Sequence, residues 1–308
     1  MRIAVMGSGG FGGYFGARLC AGGSDVHFIA RGRHLQALRS SGLTVEGPEP
    51  LHIPGVKATD DPREVGHVDV VMLCVKLWDT EAALEQMRPM VGPDTTIISF
   101  QNGVLKDDSL RAVYAESLIM GGVGYVAATI DRPGVIRQTG SMQRLIFGEF
   151  DGSETRRGEA FLAACLAGGI KAELSREVLR EIWQKYVFLV GLSGTTSTIR
   201  KTIGPIRANA RTRLFLLDVM REVVAVGRAL GVNLDEDYAE IRLGLADDVP
   251  YDMTSSMHHD LERGKPLEVR WLAGGVVELG RQKNIATPLN RAIADILALH
   301  ESGTPAPQ

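Results

Sequence analysis

An α/β half followed by an all-α half is the fold class that the sequence predicts, and three observations predict it. Short apolar runs alternate with helical stretches up to about residue 150. Gly7-Ser8-Gly9-Gly10-Phe11-Gly12 follows the first of these runs and opens a helix. Beyond Ser175 every patterned segment has helical periodicity, and no strand pattern returns.

Residues 3–6 form the first apolar strand, and G-x-G-x-x-G follows it at once. The helix after the motif carries Phe15, Ala17, Leu19 and Cys20 on its apolar side, and a second strand spans 26–29. Glycines there let the backbone turn tightly and approach a pyrophosphate, which rests on the N–H groups of the helix N-terminus. Strand, motif, helix and second strand in this order predict a Rossmann-type, doubly wound dinucleotide domain. A bare glycine-rich turn is the simpler alternative.

The second strand ends at Arg31, with Arg33 and His34 close behind. An NAD-specific site places Asp or Glu about 20 residues past the glycines to hold the ribose 2′-hydroxyl. A carboxylate would repel a 2′-phosphate, whereas a guanidinium chelates it. The expected cofactor is therefore NADP(H), against the alternative of a solvated arginine at a strand end.

Residues 43–45 and 51–53 read as a small edge excursion, and 68–75, 96–100 and 119–123 as buried parallel strands. A helix is expected over 80–90. Asp131-Arg132-Pro133-Gly134 is a turn signal between 126–129 and 135–139, which predicts a hairpin. Residues 145–147 return as a strand, 154–167 form a helix closed by Gly168-Gly169, and 171–174 add a last strand. This first domain spans 1–175. Helices follow at 176–192, 210–230, 235–245, 254–262, 267–283 and 290–300, with Ser175 and Asn209 as N-caps and Gly231 as a stop. Residues 191–198 are poor in helix formers, so the first of these helices is expected to loosen after Leu192. Residues 176–301 make an all-helical substrate and catalytic domain, and 302–308, with two prolines, a disordered tail.

Composition narrows the partners. The 308 residues carry a net charge of −3 with both signs interspersed, which offers no face to nucleic acid or to an acidic membrane. The apolar runs are too short to span a bilayer, and the chain enters a strand at once, so a soluble cytoplasmic protein without a signal peptide is expected. Cys20, Cys74 and Cys165 are odd in number and contain no C-x-x-C pair, which argues against disulfides. His258 and His259 are adjacent and point about 100° apart on a helix, so no metal site is expected. The helical stretch from 267 to 279 suits a core or a homodimer surface.

Three segments place polar groups where chemistry needs them. Lys76 ends a buried strand; Asn102 ends another in Gln101-Asn102-Gly103, where Asn-Gly is also an ordinary turn. Lys185 lies among Trp183, Tyr186, Val187 and Phe188 and shares a helix stripe with Leu189 and Ser193. Catalysis and mere snorkelling both fit such a lysine.

Taken together, the glycine loop, Arg31, Val75-Lys76, Gln101-Asn102-Gly103, Ala127-Ala128, Trp183-x-Lys185, Ser255-Ser256-Met257-x-x-Asp260, Gly264, Glu268 and Thr287-Pro288-x-Asn290 resemble the ketopantoate reductase (2-dehydropantoate 2-reductase) family over nearly the whole chain. The resemblance implies that Lys185 is the general acid and that Glu268 supports its charge and touches substrate or cofactor. It also implies that Asn102, Ser193 and Ser256 hold the substrate. Gly7, Ser8, Gly9, Gly10, Phe11, Gly12, Arg31, Lys76, Asn102, Ala128 and Glu268 would contact NADP(H). Carbonyl reduction builds negative charge on oxygen, which an ammonium stabilises and neutralises.

Leu189 and Ser193 stand where the family has two asparagines, and Arg270 and Ala273 also depart from its pattern. The expected function is NADPH-dependent reduction of a small-molecule keto acid, ketopantoate first. A reductase with a more apolar pocket, or an NADP(H)-binding sensor without turnover, are the alternatives. If Arg31 reads the 2′-phosphate, Arg31→Ala abolishes the preference for NADPH in kcat/KM; a preference that survives, or equal use of both cofactors by the wild type, defeats the assignment.

Overall fold

The computed structural model describes residues 1–304, and the remainder of the expected tail, 305–308, lies outside the described residues. Within 302–304, the Thr304 N–H donates to the carbonyl of Gly264 at 2.8 Å. The chain divides into two compact units, Met1–Gln101 with Lys106–Val178, and Asn102–Leu105 with Leu179–Gln308. A sequence-based boundary at 175 does not anticipate the short segment that leaves the first unit just after a strand.

The first unit holds ten strands: β1 (Arg2–Met6), β2 (Asp25–Ile29), β3 (Leu43–Glu46), β4 (Leu51–Ile53), β5 (Lys57–Thr59), β6 (Val70–Leu73), β7 (Thr96–Ser99), β8 (Ile119–Arg132), β9 (Val135–Gly148) and β10 (Ala172–Leu174). Between them lie α1 (Gly10–Ala21), α2 (Gly32–Ser41), α3 (Thr80–Gln86), α4 (Lys106–Arg111) and α5 (Arg156–Ala167). Six strands run parallel in the order β5-β2-β1-β6-β7-β8, with the order reversing at β1. That reversal is the doubly wound signature, and ligands of such sheets bind beyond the carboxyl ends of the strands at the reversal. The sheet is covered on both faces, as the near-continuous apolar strands require. Ile3, Val5, Val70, Met72 and Ile98 enter one core, while Ala4, Met6, Val71, Leu73 and Ile97 enter the other.

The structure joins what the sequence read as separate strands. Residues 119–123 and 126–129 belong to one strand, β8, and 135–139 and 145–147 to another, β9. They form a long antiparallel hairpin with register shifts between Val126 and Ala128 and between Ile130 and Arg132. Exposed polar residues at the hairpin's far end masked its continuity, because alternation weakens where neither face is buried. Helices α2 and α4 and strand β5 went unread for a similar reason: each is short or largely polar.

The second unit is helical: α6 (Val178–Ile199), α7 (Ile203–Ala208), α8 (Ala210–Ala229), α9 (Tyr238–Leu245), α10 (Ser256–Glu262), α11 (Ala273–Gln282) and α12 (Pro288–Leu297). Asn209 caps α8, its Oδ1 accepting from the N–H groups of Arg211 and Thr212. The expected helix over 267–283 is instead a short turn, Glu268–Arg270, followed by α11. Contrary to expectation, α6 does not loosen after Leu192. The hydroxyls of Thr195, Thr196 and Thr198 donate to the carbonyls of Gly191, Leu192 and Gly194, each four residues back. A Cβ on Gly191 would stand 2.7 Å from Met220 Cγ, and one on Gly194 2.8 Å from Ile293 Cδ1. The small residues thus let α8 and α12 approach, and burial outweighs weak propensity.

Gly10 and Gly9 provide a paired test of packing. A Cβ on Gly10 would lie 2.1 Å from the carbonyl oxygen of Ala128, whereas one on Gly9 would meet nothing within 4 Å. In denaturant titrations Gly10→Ala should lose about 1–3 kcal/mol or more of stability through overpacking against backbone, and Gly9→Ala should stay near the wild type.

Candidate functional site

In the first unit the loop between β1 and α1 is anchored at several points. Gly7 adopts φ +100, a conformation costly for any other residue. The backbone N–H and the hydroxyl of Ser8 both donate to the carbonyl of Ile29, at 3.1 and 3.0 Å, tying the loop to the last residue of β2. The N–H of Gly13 donates to the carbonyl of Gly9 at 2.7 Å. The N–H groups of Gly10, Phe11 and Gly12 therefore precede the first helical bond and stand at the positive end of α1.

Phe11 turns its ring inward, 4.7 Å from the ring of Phe15 and against Gly124 of β8, so its part in the loop is its backbone. Ala128 backs the loop through its carbonyl at Gly10, beside a register shift in β8 that re-aims the strand locally.

Arg31 is exposed at the N-cap of α2, with Arg33 also exposed. Lys76 is half-buried just past β6 and lies 5.4 Å from the ring centroid of Trp78. Gln101 braces this end of the sheet: its amide donates to the carbonyl of Val75 at 3.0 Å and to Thr80 Oγ1 at 2.8 Å, while its Oε1 accepts from Ser99 Oγ. A dinucleotide fits these residues. Open space above Gly9, N–H groups at the start of a twelve-residue helix and exposed guanidinium groups match a pyrophosphate and a phosphorylated ribose.

The second unit brings together three of the predicted residues. Lys185 Nζ donates to Asn102 Oδ1 at 3.2 Å, and Asn102 Nδ2 donates to Glu268 Oε2 at 3.3 Å. An ammonium only donates and an ionised carboxylate only accepts, so the two neighbours select one orientation of the amide. Lys185 and Asn102 are half-buried, and Glu268 is only 4 % exposed.

Tyr186, next to Lys185, ties α6 to the backbone that follows Glu268. Its hydroxyl lies 3.1 Å from the carbonyl of Trp271 and 2.7 Å from that of Leu272, just past the turn that carries Glu268. Burial pushes this phenol well above its ordinary pKa, so it remains a donor. Sequence reasoning missed that role; the only signal was an aromatic residue with a polar tip in an apolar stretch.

Ser193 and Ser256 stand differently. Ser193 is fully buried and its hydroxyl has no hydrogen-bond partner among the described residues. Ser256 is exposed as the first residue of α10, and its neighbour Ser255 caps that helix through the N–H of His258. Leu189, one turn beyond Lys185, packs against the core of the second unit.

Residues 3–152 match the family described as "Ketopantoate reductase PanE/ApbA", and residues 177–301 match "Ketopantoate reductase PanE/ApbA C terminal". The chain is 32 % identical over 315 residues to a 2-dehydropantoate 2-reductase of Mesorhizobium japonicum, covering 95 % of both chains. It is 30 % identical to a Bacillus subtilis protein named "Uncharacterized oxidoreductase YkpB", covering 98 % of this chain and 99 % of that one. Among solved structures, a 2-dehydropantoate 2-reductase of Geobacter metallireducens superposes with a TM-score of 0.91 at 29 % identity, over 97 % of this chain and 99 % of the other. With α/β and helical units in the same order and both family regions matched, the chain belongs to the ketopantoate reductase family and is an NADP-dependent oxidoreductase.

Proposed function

We propose that the protein reduces 2-dehydropantoate to pantoate, with Lys185 as the general acid. The observation that carries this reading is the chain of contacts from the Lys185 ammonium through the Asn102 amide to the Glu268 carboxylate. NADPH, when bound, supplies the hydride that the carbonyl carbon accepts. Gly7, Ser8, Gly9, Gly10, Phe11 and Gly12 would hold its pyrophosphate, Arg31 its 2′-phosphate, and Lys76, Asn102 and Ala128 its remaining polar groups.

Lys185 then has two tasks. Its ammonium stabilises negative charge as it grows on the substrate oxygen, and its proton neutralises the resulting alkoxide. Asn102 keeps the ammonium aimed, because its carbonyl oxygen accepts one of the three N–H bonds while its NH₂ group is held by Glu268. Glu268 supplies the compensating charge that a half-buried cation needs. Ser256 is exposed at the start of α10 and available to a substrate carboxylate or hydroxyl; Ser193, assigned to the same set, is fully buried, with a hydroxyl that has no partner among the described residues.

Leu189 favours a second reading in which the substrate is a 2-keto acid with a more apolar side chain, since leucine offers no hydrogen bond to a substrate hydroxyl. Comparing 2-dehydropantoate with 2-oxoisovalerate, which lacks the hydroxymethyl group, separates the two. A higher kcat/KM for 2-dehydropantoate supports the first; an equal or higher value for 2-oxoisovalerate supports the second; tight NADPH binding with no turnover of any keto acid leaves a sensor. Lys185→Ala should lower kcat by about 10²–10⁴ with little change in NADPH affinity, measured by steady-state kinetics and fluorescence titration. Wild-type turnover in that variant removes Lys185 from the mechanism.

A further inference from the structure

His34 lies in the first turn of α2, three residues past Arg31, and a position so close to a phosphate-reading arginine invites the idea of a second cationic ligand. Its hydrogen bonds argue otherwise. The backbone N–H of Gly134, in the turn between β8 and β9, donates to His34 Nδ1 at 3.1 Å. Nδ1 accepts and so carries no proton. His34 Nε2 lies 3.0 Å from the carbonyl oxygen of Ser8, inside the glycine loop, and a carbonyl can only accept. Nε2 therefore carries the hydrogen, and the ring is held as one neutral tautomer with both nitrogens used. Partial burial pushes the imidazole below its ordinary pKa, in keeping with a neutral ring.

The geometry points to His34 as a positioning residue that clamps the glycine loop to the β8–β9 hairpin so that the loop stands ready for the dinucleotide. Three further contacts make this clamp consequential. Ser8 is already tied to Ile29 through its N–H and hydroxyl, so the carbonyl held by His34 is the third fixed atom of the same residue. Gly10, two residues on, rests against Ala128 of the hairpin. Gly134 in turn accepts from the N–H of Thr44 in β3, so the turn that donates to His34 is itself held against that strand. With Ser8 and Gly10 both indexed to the hairpin, the loop that leads into the N–H groups of Gly10, Phe11 and Gly12 is fixed before any ligand arrives. Preorganisation of that kind lowers the cost of binding without adding a contact to the ligand.

This inference rests on the loop's role as the cofactor cradle, and its signature differs from that of a phosphate ligand. A ligand for the 2′-phosphate affects NADPH alone, whereas a loop clamp affects every dinucleotide alike. The experiment measures Kd for NADPH and for NADH, and kcat and keto-acid KM at saturating cofactor, in the wild type, His34→Ala, His34→Phe and His34→Gln. Phenylalanine preserves the ring's volume and removes both hydrogen bonds, so it serves if the alanine variant does not fold. Loss of a hydrogen bond of this kind should raise both Kd values by a similar factor of about ten, leave kcat and keto-acid KM near the wild type, and be largely reversed in His34→Gln, whose amide can both donate and accept. Unchanged cofactor binding in a folded Ala or Phe variant overturns the clamp, and so does a loss confined to NADPH. A wild-type protein that binds neither cofactor overturns the cradle reading itself, and the clamp with it.

Discussion

Close approach of backbone to backbone at the β1–α1 loop is the constraint on which the first unit depends. The carbonyl of Ala128 occupies the space where any side chain on Gly10 would begin. The loop must also take a positive φ at Gly7 and anchor Ser8 on Ile29. These demands come from three different elements, β2, the hairpin and the loop itself, and they converge on six residues. A sheet with its strand order reversing at β1 supplies all three at its carboxyl edge. The loop is shaped by its contacts with the sheet and the hairpin.

A different economy governs the second unit. Its core is built from helix faces, and among its polar side chains Lys185, Asn102 and Glu268 are joined by hydrogen bonds. Glu268 is almost wholly buried, and a carboxylate removed from water needs donors around it. Asn102 provides one, and because the same amide also accepts from Lys185, the three side chains adopt a single arrangement. Tyr186 holds the backbone beyond Glu268, so the carboxylate sits on a braced turn. Asn102 reaches this unit only because the segment Asn102–Leu105 departs from the strand end and rejoins the first unit at Lys106. At that return Lys106 Nζ is buried, donating to the carbonyl of Ser99 and to Asp107, which anchors the chain where it re-enters.

Much of this was legible in the residues. The glycine motif between two apolar strands announced the first unit because its glycines answer a local steric demand that sequence displays directly. Asn209 as a cap and Gly134 in the hairpin turn were readable for the same reason. Where a segment takes its structure from distant partners, sequence misled. The Gly191–Thr198 stretch looked like a helix end, yet α6 passes through it, held by α8 and α12 and by threonine hydroxyls bonded back along the helix. Helix α2 was unread although Arg31 and His34 at its start were both noticed, since it buries only Leu35 and Leu38 and is otherwise largely polar.

By itself, then, the sequence determined the class of fold, the position of the dinucleotide motif and the identity of the side chains able to do chemistry, because each depends on local sterics, periodicity or functional-group type. Tertiary structure alone decided which of those side chains meet. It joined Asn102 to Lys185 and Glu268 across 83 and 166 residues of chain, and left Ser193 buried with a hydroxyl that has no partner among the described residues. It also placed His34 between the carbonyl of Ser8 and the N–H of Gly134. Such outcomes rest on hydrogen-bond partners supplied by remote backbone, and no local pattern encodes those.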